Sequence, residues 1–386
     1  MLNSFGQMAG IYVHIPFCRQ ACHYCDFHFS TSTKSKNEVV EAIVQEIHFR
    51  ADFFPEGTEI NSLYLGGGTP SLLEAEELDR IFQALYGQFR LSDAAEITLE
   101  ANPDDLYGGS DARVRLEYLQ TSPVNRLSVG IQSFREEDLS WMNRAHDSRQ
   151  AEGVLEVIHA AGFQSFSLDL IYGIPGLSLE AWAENLNRAF DSGADHLSCY
   201  ALTVEPRTAL AHQVRKGSSQ APDDLLTRQH FEMLSAKAAA AGFEHYEISN
   251  LALPGCRARH NSAYWTGKPY LGIGPSAHSY DGEKRSWNVA NNARYLKAIS
   301  ASEIPAEVEE LSPQDQFNER LMTGLRTAWG VNLEDLRAIS DTAVDQMLQE
   351  AKEWEAELEQ QGSNLRIRKS GWFMADRIAS DLFWVD

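Results

Sequence analysis

Cysteine is scarce in this chain, long apolar runs are missing and basic residues are outnumbered, and each shortage removes a class of protein. The five cysteines among 386 residues are an odd number, too few for a disulfide framework. The opening MLNSFGQMAG shows no charged segment followed by an apolar one, so no secretory leader is expected. No apolar run approaches the length of a membrane span. Lys and Arg total 33 against 55 Asp and Glu, a formal net charge of −22, which argues against a nucleic-acid partner because phosphate binding needs concentrated cations. The imbalance is marked from Glu303 onward, with 18 acidic and 8 basic residues. Repeats and low-complexity tracts are absent. What is left fits a chain folded in the reducing cytoplasm, with one large domain and an appendage.

Three of the cysteines are crowded together. Cys18, Cys22 and Cys25 follow a first strand-like run in IYVHIPFCRQACHYCDF, spaced C-x3-C-x2-C. Three thiolates on one loop can hold an iron–sulfur cluster while leaving the fourth iron open to another ligand. A structural zinc site is the alternative. It would need a fourth ligand such as His14, His23 or His28, and no second C-x2-C pair exists in the chain. Cys199 and Cys256, in apolar and turn contexts, are expected to be incidental thiols.

The first two hundred residues alternate between strand-like and helical runs. Strands are expected at 11–15, 60–65, 96–99, 126–129, 165–170 and 197–200. Helical periodicity places Val40, Ile43, Val44 and Ile47 on one face, and Leu78, Ile81, Phe82 and Leu85 on another, with Ser71 and Glu74 as a capping box. Helices are also expected over 150–161 and 179–190. Six β-then-α units predict an α/β fold, an incomplete (β/α)6 TIM-like barrel open along one side, because eight units are needed for closure. Such an opening would admit a large flat ligand.

Beyond Glu205 the pattern changes. A linker at 216–224, a helix at 225–240 and a Gly-, Pro- and aromatic-rich stretch from Tyr246 to Trp287 precede three short helices. Ser312–Pro313 opens the first of these, Asn332 the second, and the third covers 344–358. A hairpin of 365–367 with 372–374 completes a small α+β winged-helix-like module. The expected divisions are 1–215, 216–305 and 306–386.

Functional groups in parallel α/β sheets collect at the C-terminal ends of the strands. Here those ends carry the cysteine loop, Gly66-Gly67-Gly68-Thr69-Pro70, Glu100, Gln132, Asp169 and Tyr200-Ala201. Bare glycine backbone can approach a ligand closely, carboxylates suit ammonium or ribose groups, and Arg144 can neutralise a carboxylate. Singly, each has a plainer reading: GGGTP as a turn, the acids and Gln132 as strand-end residues. Their shared sheet edge, downstream of three cysteines, favours a common site.

The C-x3-C-x2-C loop followed by Gly-Gly-Gly-Thr-Pro resembles the radical S-adenosylmethionine (SAM) superfamily. The strings YVHIPFC, GGGTPS, LEANP, LSVGIQSF, LDLIYGIP and HNSAYW are similar to the oxygen-independent coproporphyrinogen III oxidase family, and within it to the heme chaperone (HemW) branch. The resemblance implies that Cys18, Cys22 and Cys25 bind three irons of a [4Fe-4S] cluster and that SAM chelates the fourth and is cleaved reductively. It places Tyr12, Gly67, Gly68, Thr69, Glu100, Gln132, Arg144, Asp169 and Ala201 around SAM, with Tyr24 beside the cluster.

Two departures separate this chain from the oxidases. Phe27 stands where they carry a further cysteine, and the segment ahead of Cys18 is short. Both features, with His260-Asn261-Ser262-Ala263-Tyr264-Trp265, match the chaperone branch. The resemblance therefore implies heme as a further ligand, with His260 at its iron or edge and Tyr264 and Trp265 against the macrocycle. A loop histidine serving only structure is the plainer reading. The partners implied are heme, heme-accepting apoproteins including membrane-bound respiratory proteins, an electron donor for the cluster, and a second copy of the chain as a homodimer. Oxidative decarboxylation of coproporphyrinogen III is the alternative activity.

Overall fold

Along six strands the residues alternate between apolar and polar, and this alternation sets the architecture. The computed structural model describes residues 8–163 and 165–385; residues 1–7, where a leader was looked for, lie outside it. The strands are β1 (Met8–Ile15), β2 (Glu59–Gly67), β3 (Leu91–Ala101), β4 (Arg126–Gln132), β5 (Phe166–Tyr172) and β6 (His196–Ala201). They pair in sequence order, all parallel. Ile11, Val13, Ile15, Leu63, Leu65, Leu99, Leu127, Val129, Leu168 and Leu197 are fully buried, as are Val40, Ile43, Ile47, Ile81, Leu85, Val154, Ile158, Trp182 and Leu186 on the connecting helices. The alternate positions are Tyr12, His14, Tyr64, Glu100, Ser128, Asp169 and Tyr200. A strand's two faces differ by one residue step, so a polar interior is written into each strand.

The six strands do not close. The free side of β1 takes β9 (Tyr270–Ile273) in parallel, and β6 takes β8 (Asn250–Ala252) antiparallel. Beyond β8 lies β7 (Glu244–His245). Beyond β9 lie β10 (His278–Tyr280), β11 (Lys284–Asn288) and β12 (Ala306–Glu310), completing a 12-stranded sheet. The fold is the expected open barrel. The Gly- and aromatic-rich stretch supplies β8 to β11 and the helix Arg259–Trp265. Strands of 3–5 residues are too short to carry a readable period.

Two local expectations change. The second barrel helix, Ala75–Gln88, is capped by Glu74 in a box with Glu77. Ser71 sits earlier, in a 3-10 turn, and its hydroxyl donates to Asp105 at 2.7 Å. In the C-terminal module, Pro313–Leu325 begins with a Ser312–Asp315 box and Leu333–Arg337 is capped by Asn332, as expected. The next helix stops at Glu350, however, so that Leu358–Gln361 pairs with Asn364–Ile367. Trp372 lies buried in a 3-10 turn and donates its indole N–H to Ile367 O. The tight turn at Gly362, φ +60°, favours this hairpin over the one expected at Lys-Ser-Gly. The module contacts the barrel through Ile248 N–H to Arg326 O and through the His245 and Trp372 rings, 4.7 Å apart.

Candidate functional site

Two cavities occupy the polar interior. One, of about 550 Å³, is lined by Cys18, Cys22 and Cys25 and by the ends of β2 to β6. The other, of about 630 Å³, is lined mainly by rings. Asp26, Phe27, Glu100 and Tyr200 belong to both walls.

The cysteine loop is tied to the segment between β4 and β5. The His23 N–H donates to Met142 O, the Gln20 amide to Asn143 Oδ1 at 2.9 Å, and the Asn143 amide to Ala21 O at 2.7 Å. Asn143 is left-handed, φ 58°, a conformation asparagine tolerates at a helix end, and Arg144 follows it into the interior. Arg144 Nη1 donates to Cys22 Sγ at 3.3 Å and to the Tyr24 hydroxyl at 3.4 Å, while Nη2 donates to Asn102 Oδ1 at 2.6 Å and Gly130 O at 3.1 Å. Burial opposes its charge, but Tyr24 and Cys22 hold its pKa above the ordinary value. Its Nε is buried without a partner.

Burial pushes the Cys18 thiol up to about 12 and that of Cys25 to about 11. Both need a metal to become thiolates at neutral pH. Thr69 donates to Cys18 Sγ at 3.6 Å and accepts from Asn102 Nδ2 at 3.1 Å. The histidines considered as a fourth ligand lie elsewhere. His23 bonds the Trp141 carbonyl, and His14 and His28 line the second cavity.

The glycine turn works differently from expectation. Gly67 is at φ +103°, and a Cβ there would lie 2.4 Å from the His14 ring, so only glycine fits. Its N–H is taken by Glu100 Oε2 at 3.0 Å, and that of Gly68 by Ile15 O at 2.9 Å. The turn offers a ligand carbonyl oxygen and shape rather than donors. Gln132 is left-handed at φ 64°, beside a register shift between β4 and β5, and its amide has no partner among the described residues. Such an unpartnered amide on left-handed backbone at a strand end is free to hydrogen-bond a ligand.

Across from Arg144 stand two acids. Burial, then Asp169, raises Glu100 to about 7, and burial raises Asp169 to about 6. Glu100 accepts from the Tyr64 hydroxyl at 2.8 Å, and Asp169 from Ser128 at 3.3 Å. Ala201 closes the same wall from the end of β6. A buried cation beside thiols, facing two carboxylates, suits a ligand carrying both an ammonium and a carboxylate.

Tyr12 lies on the second cavity, not the first. Its ring stacks on Tyr64 at 6.0 Å and lies 6.2 Å from His260. His260, on the helix Arg259–Trp265, shares a hydrogen bond through Nδ1 with Ser62 Oγ at 3.1 Å. Its Nε2 has no partner among the described residues. Burial lowers its pKa to about 4, so the ring is a neutral donor of a lone pair at neutral pH. Gly10 makes room for it, since a Cβ there would sit 3.2 Å from its Nδ1. Tyr264, Trp265 and Tyr270 complete the aromatic wall. Sequence reasoning missed Tyr64, Asn102 and Arg326. The first two are visible only through the period-2 alternation and the Asn-Pro that follows β3.

The radical SAM superfamily profile matches residues 12–189, and that of the HemN C-terminal domain matches 311–374. Coproporphyrinogen III oxidase (HemN) from Escherichia coli, a radical SAM enzyme, superposes with a TM-score of 0.83 at 22% identity, covering 98% of this chain and 90% of that one; it shows the fold. The open barrel with its thiol cavity is thus that of a radical SAM protein, a class that implies a [4Fe-4S] cluster and SAM. Heme chaperone HemW of Mycobacterium tuberculosis is 34% identical over 98% of this chain and 95% of its own length. The Bacillus subtilis and Escherichia coli proteins of that name are 33% and 36% identical, over 84% and 69% of this chain and 85% and 69% of their own. The chain belongs to the HemW family.

Proposed function

We propose that this protein holds heme and passes it to acceptor apoproteins, with a cluster and SAM as resident cofactors. The carrying observation is the shared wall. A cavity built on three thiols and one built on His260 and aromatic rings share Asp26, Phe27, Glu100 and Tyr200 as lining residues. Cys18, Cys22 and Cys25 would hold the cluster. Tyr24, Gly67, Gly68, Thr69, Glu100, Gln132, Arg144, Asp169 and Ala201 would surround SAM, and Tyr12 would sit toward the heme side. When bound, the cluster would supply the electron for reductive cleavage of SAM.

The chain's own groups set the conditions. Arg144 offsets thiolate charge and can receive a carboxylate, Glu100 and Asp169 can receive an ammonium or hydroxyls, and Thr69 fixes Cys18. His260 offers Nε2 to an iron, and Tyr264 and Trp265 bound the macrocycle. The units 1–215, 216–305 and 306–386 would carry the cluster and SAM, the His260 motif and the acidic module. Among the described residues no helix is long and apolar enough to cross a membrane. The acceptors would include membrane-bound respiratory proteins, met from the cytoplasm. An external electron donor and pairing of two copies complete the proposal.

The test is anaerobic titration of cluster-loaded protein with heme, with and without SAM. A Soret band should develop, and His260→Ala should weaken binding roughly tenfold, as loss of one ligand bond predicts. No band, or no effect of that substitution, would sink the reading. Coproporphyrinogen oxidation, suggested by the YVHIPFC and GGGTP strings, predicts protoporphyrinogen on incubation with SAM and reductant; none is expected.

A further inference from the structure

We infer that Arg326, carried by the C-terminal module, is the counter-cation for a carboxylate of the tetrapyrrole in the aromatic cavity, and that Trp265 positions it there. The inference rests on the heme reading above.

The aromatic cavity is lined by three carboxylates, Asp26, Glu100 and Glu247, and by Arg326 as its only Lys or Arg among the described residues. A carboxylate entering such a space without a cation beside it would be strongly disfavoured. Arg326 follows the helix Pro313–Leu325. Its guanidinium carbon lies 5.3 Å from the Trp265 ring centroid, a cation–π contact with the last residue of HNSAYW. Its Nε is buried with no hydrogen-bond partner. The partner of Nη1, Asp376, is 72% exposed. An ion pair with so exposed an acid is weak and readily exchanged, whereas a guanidinium can grip an incoming carboxylate through two parallel N–H bonds. The tetrapyrrole would therefore meet iron-binding nitrogen at His260 and positive charge at Arg326, from two parts of the chain joined by Trp265.

The experiment compares heme with heme dimethyl ester, titrated by Soret absorbance into cluster-loaded wild type, Arg326→Gln, Arg326→Lys and Asp376→Asn. Arg326→Gln should weaken heme binding roughly tenfold, as expected for a lost charge-assisted pair, and leave ester binding unchanged. Arg326→Lys should restore part of the loss. Asp376→Asn, a surface change that spares the fold, should tighten heme but not ester. Equal effects of Arg326→Gln on the two ligands, or no effect of it on heme, would overturn the inference. Failure of wild type to bind either ligand would instead overturn the reading beneath it.

Discussion

The two cavities are held together by different forces. Around the thiols hydrogen bonds within the protein dominate, although the Arg144 Nε and the Gln132 amide stay open. Arg144 has four partners, Thr69 two, and Glu100 accepts from both Tyr64 and the Gly67 N–H. Around His260 ring contacts predominate, Tyr12 on Tyr64 and Tyr64 on His260 at 5.2 Å, beside the Ser62 hydrogen bond, and polar atoms such as the imidazole Nε2 and the Arg326 Nε stand open. A connected hydrogen-bond network fixes the groups it joins, whereas apolar ring contacts are less directional. The first is the construction expected for a resident cofactor and the second for a cargo that must leave.

Four substitutions test that contrast, in decreasing order of effect. Cys22→Ser should abolish iron and sulfide retention while a Soret band still forms; joint loss would show that the cavities are not separable. Arg144→Leu leaves Asn102 Oδ1 and Gly130 O without their donor, and should destabilise the protein by about 3 kcal/mol, as for breaking a buried polar network, measurable by urea unfolding.

The third concerns pH. Glu100 is raised from 4.5 to about 7. Between those values the folded protein keeps a proton that the unfolded chain has released, so this group's contribution to stability falls as pH rises through the window. The cofactor-free protein should lose thermal stability from pH 5 to 7, and Glu100→Gln should flatten the slope. An unchanged slope would show that Glu100 titrates normally. The smallest effect is expected from Ser62→Ala, which frees His260 Nδ1 and should weaken heme binding roughly threefold, the size of one neutral hydrogen bond, without touching the cluster.

Much of this was legible before the structure. All six barrel strands lie where the short β-rich runs placed them, and Leu78, Ile81, Phe82 and Leu85 are the buried stripe of their helix. Local chemistry suffices for such elements, because side-chain period and capping act over a few residues. Ser71 misled because its hydroxyl is satisfied by Asp105, 34 residues away. Nothing local distinguishes that partner from a helix cap. Tyr64 was passed over as one more strand residue, although its hydroxyl holds Glu100 on the wall between the cavities.

By itself, the order of residues determined that three thiols share one loop, that six strands present polar groups to one face, and that His260 precedes two aromatics. Spacing and alternation are properties of neighbours in the chain. Only the tertiary structure decided that Tyr12 belongs with His260, that the Gly67 and Gly68 N–H groups are already occupied, and that Arg326 reaches the cavity. Those outcomes depend on which distant segments pair across the open side of the barrel, and burial and hydrogen bonding between such segments leave no periodic mark in the sequence.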